Sequence, residues 1–133
     1  MVFSGSPFGS SAKHIWITPV RKEGSVKENE LISVTEGSSA DIEPYWSPDG
    51  QTIYFLSDAD GPLCIWARRV DPATAQPRNP AFPVAHFHEA RQTIQSPSPY
   101  RGEIGLSVSK DSLVFMMADR RSNIWLETEP RPR

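Results

Sequence analysis

The chain has a single cysteine among its 133 residues. That excludes an intramolecular disulfide and any multi-cysteine metal centre. Cys64 lies in the apolar run Leu63-Cys64-Ile65-Trp66, where a buried, inert thiol is expected. No apolar stretch approaches the length that spans a bilayer, so no membrane insertion is expected. Charge of one sign is missing too: 14 basic and 16 acidic residues leave a net charge of −2. The basic residues are scattered apart from Arg21-Lys22, Arg68-Arg69 and Arg120-Arg121, which argues against nucleic acid as a partner. The opening residues Met1-Val2-Phe3-Ser4-Gly5-Ser6 have no basic start and no long apolar core, so they do not read as a signal peptide. The chain as written is expected in the cytoplasm; a longer N-terminus carrying a leader would make it periplasmic.

Proline, by contrast, is abundant. Thirteen prolines and eight glycines punctuate the chain, which makes a bundle of long helices a poor fit. Hydrophobic residues make up 38%, enough to fold a core. The dipeptide Ile-Trp recurs at Ile15-Trp16, Ile65-Trp66 and Ile124-Trp125. The copies lie about 50 to 60 residues apart, close to the period of propeller repeats. Each follows a short apolar run and a polar turn, as in a hairpin. Upstream, Trp46-Ser47-Pro48-Asp49-Gly50-Gln51-Thr52-Ile53-Tyr54-Phe55 aligns without a gap on Leu106-Ser107-Val108-Ser109-Lys110-Asp111-Ser112-Leu113-Val114-Phe115. Pro-Asp-Gly between strands is a turn with a mechanism: Pro sets φ, Asp bonds the local backbone and Gly accepts positive φ.

Ile53 to Leu56 and Leu113 to Met117 are apolar at every position, so both are expected to be buried on both faces. In an all-β chain this means sheets stacked on sheets, either a β-propeller or a β-sandwich. The segments Asp71 to Pro83 and Ser96 to Gly102 read as proline-rich loops, and Arg21 to Glu30 as a charged connection.

The stretch Val34-Thr35-Glu36-Gly37, followed by Asp41-Ile42-Glu43-Pro44-Tyr45-Trp46-Ser47-Pro48-Asp49-Gly50, resembles the WD-like β-propeller repeat of the TolB type. The third copy is degenerate: Leu106 replaces Trp46, and Val108-Ser109-Lys110 replaces Pro48-Asp49-Gly50. The segment from Phe82 to Leu126 also resembles the closing part of TolB-like propellers at the C-termini of bacterial multidomain proteins, among them kinases and winged-helix regulators. The resemblance implies that the Trp-Ser strand is innermost in a blade and the Leu-Thr strand outermost. The implied fold is a partial β-propeller of about two and a half four-stranded antiparallel blades in one domain. Residues 1–35 form an incomplete blade, 44–88 a complete one (Pro44 to Ser47, Thr52 to Ser57, Cys64 to Arg68, Phe82 to His88), and 103–128 an incomplete last one. Residues 129–133 are a tail. Propellers close with about four to eight blades, so further blades from a longer protein or from other copies are expected. A homo-oligomer through the open blade faces follows.

No catalytic constellation is expected. Gly105-Leu106-Ser107-Val108-Ser109 lacks the second glycine and the helix of a nucleophile elbow, so Ser107 reads as a strand serine. His86 and His88 share one face of a strand. Two imidazoles so placed suit zinc or copper, but a site needs further ligands, for which only Glu89 and His14 suggest themselves. Packing or solvent exposure is the expectation, with no metal and no cofactor. Asp58-Ala59-Asp60-Gly61 fails the calcium-loop pattern and reads as a turn. The recurring Trp16, Trp66 and Trp125 read as repeated blade packing. By analogy with propellers, Asp41, Glu43, Tyr100 and Arg101 precede inner strands and rim the channel, which makes them the candidate binding residues.

The expected function is a non-catalytic module that binds or scaffolds a protein or small ligand. One alternative is the propeller portion of a prolyl-oligopeptidase-like serine peptidase. The other is the sensor domain of a bacterial kinase or transcription regulator.

Overall fold

The structure is a computed structural model that describes residues 1–6, 12–88, 92–94, 105–119, 121 and 124–125. These residues form antiparallel β-sheets, none closed on itself, with one 3₁₀ turn at Glu28–Glu30 and no α-helix. The first sheet is three-stranded, in the order β1 (Val2–Gly5), β2 (His14–Ile17), β3 (Ile32–Ser33). The second is four-stranded, in the order β4 (Asp41–Trp46), β5 (Thr52–Ser57), β6 (Cys64–Val70), β7 (Pro77–Ala85). Two small ladders follow. Strand β9 (Ser107–Val108) pairs with β10 (Leu113–Val114), and β8 (Gln92–Thr93) pairs with β11 (Ala118–Asp119).

The sharp turns follow from local chemistry. Between β4 and β5, Ser47 Oγ lies 2.5 Å from Asp49 Oδ1, which also accepts from the Gln51 N–H at 3.0 Å. These two interactions hold the Asp49 carboxyl below its usual range, the Ser47 hydroxyl contributing most. Gly50 has φ +69, the left-handed conformation that glycine tolerates best, and its N–H closes the turn on the Ser47 carbonyl.

Burial of β5 organises the rest. Side chains alternate across a strand. Ile53 and Phe55 therefore face one way, with Val70 of β6, into a cluster with Ile15 and Ile17 of the first sheet and Val34 just after it. Leu56 faces the other way, into a cluster with Ile65, Ile94 and Leu106, ringed by Tyr54, Phe87, Leu113 and Phe115. The second sheet is thus covered on both faces, as its uninterrupted apolar run implies. Arg68 ties the first two sheets together, donating to the Val34 carbonyl at 2.6 Å and to the Asn79 carbonyl at 3.0 Å.

Three expectations are corrected. The proline-rich segment expected as a loop supplies most of β7, which begins at Pro77 and contains Pro80 and Pro83. β7 is the sheet edge, where a missing N–H forfeits no ladder bond on the open side. Asn79, at φ 60, sits where the β6–β7 register shifts. Second, Leu113 to Met117 is not buried on both faces. Leu113 and Phe115 pack inward, but Val114 is 65% exposed and Met116 43%, because no further layer covers that side among the described residues. Third, Trp125 does not repeat the packing of Trp66: it is 89% exposed and Ile124 99%. The β5–β6 turn contains Gly61 at φ +115, whereas Ala118 to Asn123 has no glycine. Strand β11 instead pairs with β8, away from the hairpin expected of the third unit.

Phe55→Ala is expected to cost about 3–5 kcal/mol, since it opens a cavity under both sheets, while Val114→Ala costs less than about 0.5 kcal/mol. Urea unfolding of the two variants measures the difference.

Candidate functional site

The end of the second sheet nearest the β5–β6 turn carries a row of polar side chains. Asp41 pairs with Ser57, and Ser57 with Cys64. Ile65 pairs with Ala85, so one further step of that register brings His86 opposite Cys64. Cross-strand partners share a face, and this row lies on the face of Phe55 and Trp66. Asp41, Ser57 and Cys64 are all buried.

Asp41 heads the row as a structural acceptor. It is 2% exposed, and its Oδ1 accepts from Ser57 Oγ at 2.5 Å and from Ser39 Oγ at 3.1 Å. The Asp41 N–H donates to the Lys13 carbonyl at 2.9 Å, which links this end of the second sheet to the segment leading into β2. Glu43 sits at the irregularity between Ile42 and Tyr45, with φ 50 in the left-handed region. Both residues lie within β4, not in a loop before it, which corrects their expected placement. Tyr100 and Arg101 lie outside the described residues.

Beside this row, between the end of β3 and the face of the second sheet, runs an open cleft of about 570 Å³. Asp41, Ser57 and Arg68 give it polar walls, Phe55 and Trp66 an apolar floor, and Asn79 to Ala81 of the edge strand one rim. The Asp41 carboxylate and the Arg68 guanidinium are both already engaged by hydrogen bonds. The cleft therefore offers shape and apolar surface more than free charge.

At the other end of the row, four potential ligands converge. Asp60, Cys64, His86 and His88 each bring one donor atom, and all four atoms lie within 4.8 Å of one another. His86 Nδ1 is 2.9 Å from Asp60 Oδ2 and 3.2 Å from His88 Nε2, which itself lies 3.4 Å from Asp60 Oδ2. The Phe87 N–H donates to Cys64 Sγ at 3.3 Å. Burial pushes the Cys64 thiol up from its ordinary range, partly offset by that N–H donor. Phe87 packs on Phe115 with ring centroids 5.3 Å apart, so the apolar residue between the two histidines is anchored in the core and the imidazoles turn to the opposite side. His14, once considered a third ligand, is buried in β2 and lies outside this group, and Glu89 is outside the described residues. Two of these potential ligands lie beyond the sequence expectation: Asp60, expected as a turn residue, and Cys64, expected as a buried, inert thiol. The four-residue spacing across a glycine turn that starts β6 was the signal.

Ser107 lies in β9, is exposed, and is followed by a turn and strand β10 with no helix. No family model matches the chain, and no curated protein or solved structure matches it.

Asp41→Ala is expected to destabilise the fold by about 1–3 kcal/mol, because the buried Ser57 O–H loses its acceptor while its oxygen still accepts from the Ala59 N–H. Adding Ser57→Ala should recover part of that loss; a double-mutant cycle from denaturant midpoints reads the coupling.

Proposed function

We propose that this chain is a non-catalytic β-propeller module, about two and a half blades long, that binds or scaffolds a protein or small ligand and is completed by further blades. The observation that carries the reading is the second sheet: four antiparallel strands in chain order, stacked on other sheets by both faces. That is the construction of a propeller blade. The relation between sheets supports it as well. β4, the first strand of the second sheet, lies beside β9, and each precedes the matching run of its unit, Ile53 to Phe55 and Leu113 to Phe115. Equivalent strands of successive units side by side are what blades radiating from an axis would produce. The WD-like, TolB-type pattern in residues 34–55 is a third, independent support.

The ligand-binding part of the reading rests on the cleft beside Asp41 and Arg68, which is roomy and walled by fixed polar groups. The need for further blades rests on the exposed apolar side chains of Val114, Met116, Met117, Ile124 and Trp125. In a completed ring, another blade covers such a face. The proline-bearing edge strand β7 discourages simple edge-to-edge addition, so growth by face stacking is favoured over growth by strand pairing.

Light scattering on the purified chain tests the reading. A discrete oligomer is the expected result. A stable monomer that does not aggregate contradicts the propeller assignment, since an open stack with one apolar face bare should not persist alone.

A further inference from the structure

We propose that Asp60, Cys64, His86 and His88 form a zinc site that clamps one end of the four-stranded sheet. This does not depend on the propeller reading: the four ligands come from the β5–β6 turn, the start of β6 and the segment directly after β7.

The donor set is the first argument. One thiol, two imidazole nitrogens and one carboxylate oxygen make four ligands of the types that tetrahedral zinc takes. Sulfur and imidazole donors disfavour calcium and magnesium, which prefer oxygen. Geometry is the second. Bonds of zinc-site length place tetrahedral ligands about 3.3–3.6 Å apart. The nitrogen and oxygen atoms here stand 2.9, 3.2 and 3.4 Å from each other, and all four donors fall within 4.8 Å. Small side-chain rotations bring the set to that spacing. The third argument is convergence of lone pairs. Cys64 Sγ, Asp60 Oδ2, His86 Nδ1 and His88 Nε2 converge on one small volume, and a cation would take the place of the protons that now bridge the imidazoles and the carboxylate.

The surroundings suit a structural ion. Cys64 is fully buried at the start of β6, while the side chains of His86 and His88 are 43% and 47% exposed, so the site is anchored from beneath and open to an entering ion. The Phe87 N–H bonded to the sulfur is the kind of outer partner that orients and stabilises a thiolate ligand. The Trp66 ring meets His86 edge-on, with centroids 6.1 Å apart, and limits how that imidazole turns. Four protein ligands fill a tetrahedron and leave no open position for a reacting water, so the ion would be structural. It would join the β5–β6 turn and the start of β6 to the segment beyond β7, between which the only ion pairs among the described residues are the Asp60 contacts to the two histidines.

The test is titration of metal-stripped chain with cobalt(II), followed by displacement with zinc(II). Expected are one equivalent of cobalt, tetrahedral visible bands with a thiolate charge-transfer band, and displacement by equimolar zinc. Zinc should raise the thermal midpoint by about 10 °C at saturation. Cys64→Ser should abolish the charge-transfer band. Because Cys64 is buried and that variant is at risk of misfolding, the exposed pair His86→Ala/His88→Ala and the near-isosteric Asp60→Asn carry the decision. The histidine pair should leave the metal-free midpoint unchanged and remove the zinc-induced rise, and Asp60→Asn should weaken zinc about 10-fold or more. An octahedral cobalt spectrum, binding of copper(II) with none of zinc, or zinc stabilisation unchanged in the histidine pair would overturn the proposal.

Discussion

Strand β5 has no polar face to give to water. Ile53 and Phe55 need one apolar surface and Leu56 needs another on the opposite side. A two-stranded hairpin cannot satisfy both demands, and neither can one sheet facing solvent. The chain meets them by laying the first sheet against one side and Ile94, Leu106, Leu113 and Phe115 against the other. With burial worth about 25 cal/mol per Å² of apolar surface, this two-sided contact is the main favourable term in a chain this small. The bare face of Val114 and Met116 is the same demand left unmet one layer further out.

Once β5 is fixed in the middle, its register builds both ends of the functional surface. Thr52 pairs with Arg69 and Ser57 with Cys64, so β6 presents Arg68 towards the first sheet and Cys64 at the turn end. Asp41 comes to Ser57 from one side and His86 to Cys64 from the other. The cleft and the four-ligand cluster are therefore neighbours on one face, positioned by a single ladder. A slip of one residue would turn Cys64 and Ser57 away together.

Sequence patterns expose the second sheet well because its signals are local. Trp46-Ser47-Pro48-Asp49-Gly50 specifies a turn through Asp49 and Gly50, and the apolar run after it is a strand with Ile53, Phe55 and Leu56 buried. The edge strand was hidden because proline counts as a breaker until the strand is known to be an edge, a fact set by its partners. The third unit was over-read. Ile124-Trp125 repeats the dipeptide but not the glycine turn that folds its predecessor back, and it stands in solvent. The four-donor cluster is half legible in the sequence. His86 and His88 share a face by simple alternation, but Cys64 and Asp60 reach them only through the β6–β7 register and the Gly61 turn. Of the rim residues, Asp41 lies on β4 with two serine hydroxyls already donating to one of its oxygens.

The central claim is that β5 and β6 are the shared middle layer of one cooperative stack. Native-state amide hydrogen exchange tests it most directly. The account predicts that amides of Ile53 to Leu56 and of Ile65 to Ala67 are the slowest in the chain, and that Ile15 on one side and Leu106 on the other open with similar free energies. Fast exchange in β5, or protection confined to the first sheet, would contradict it.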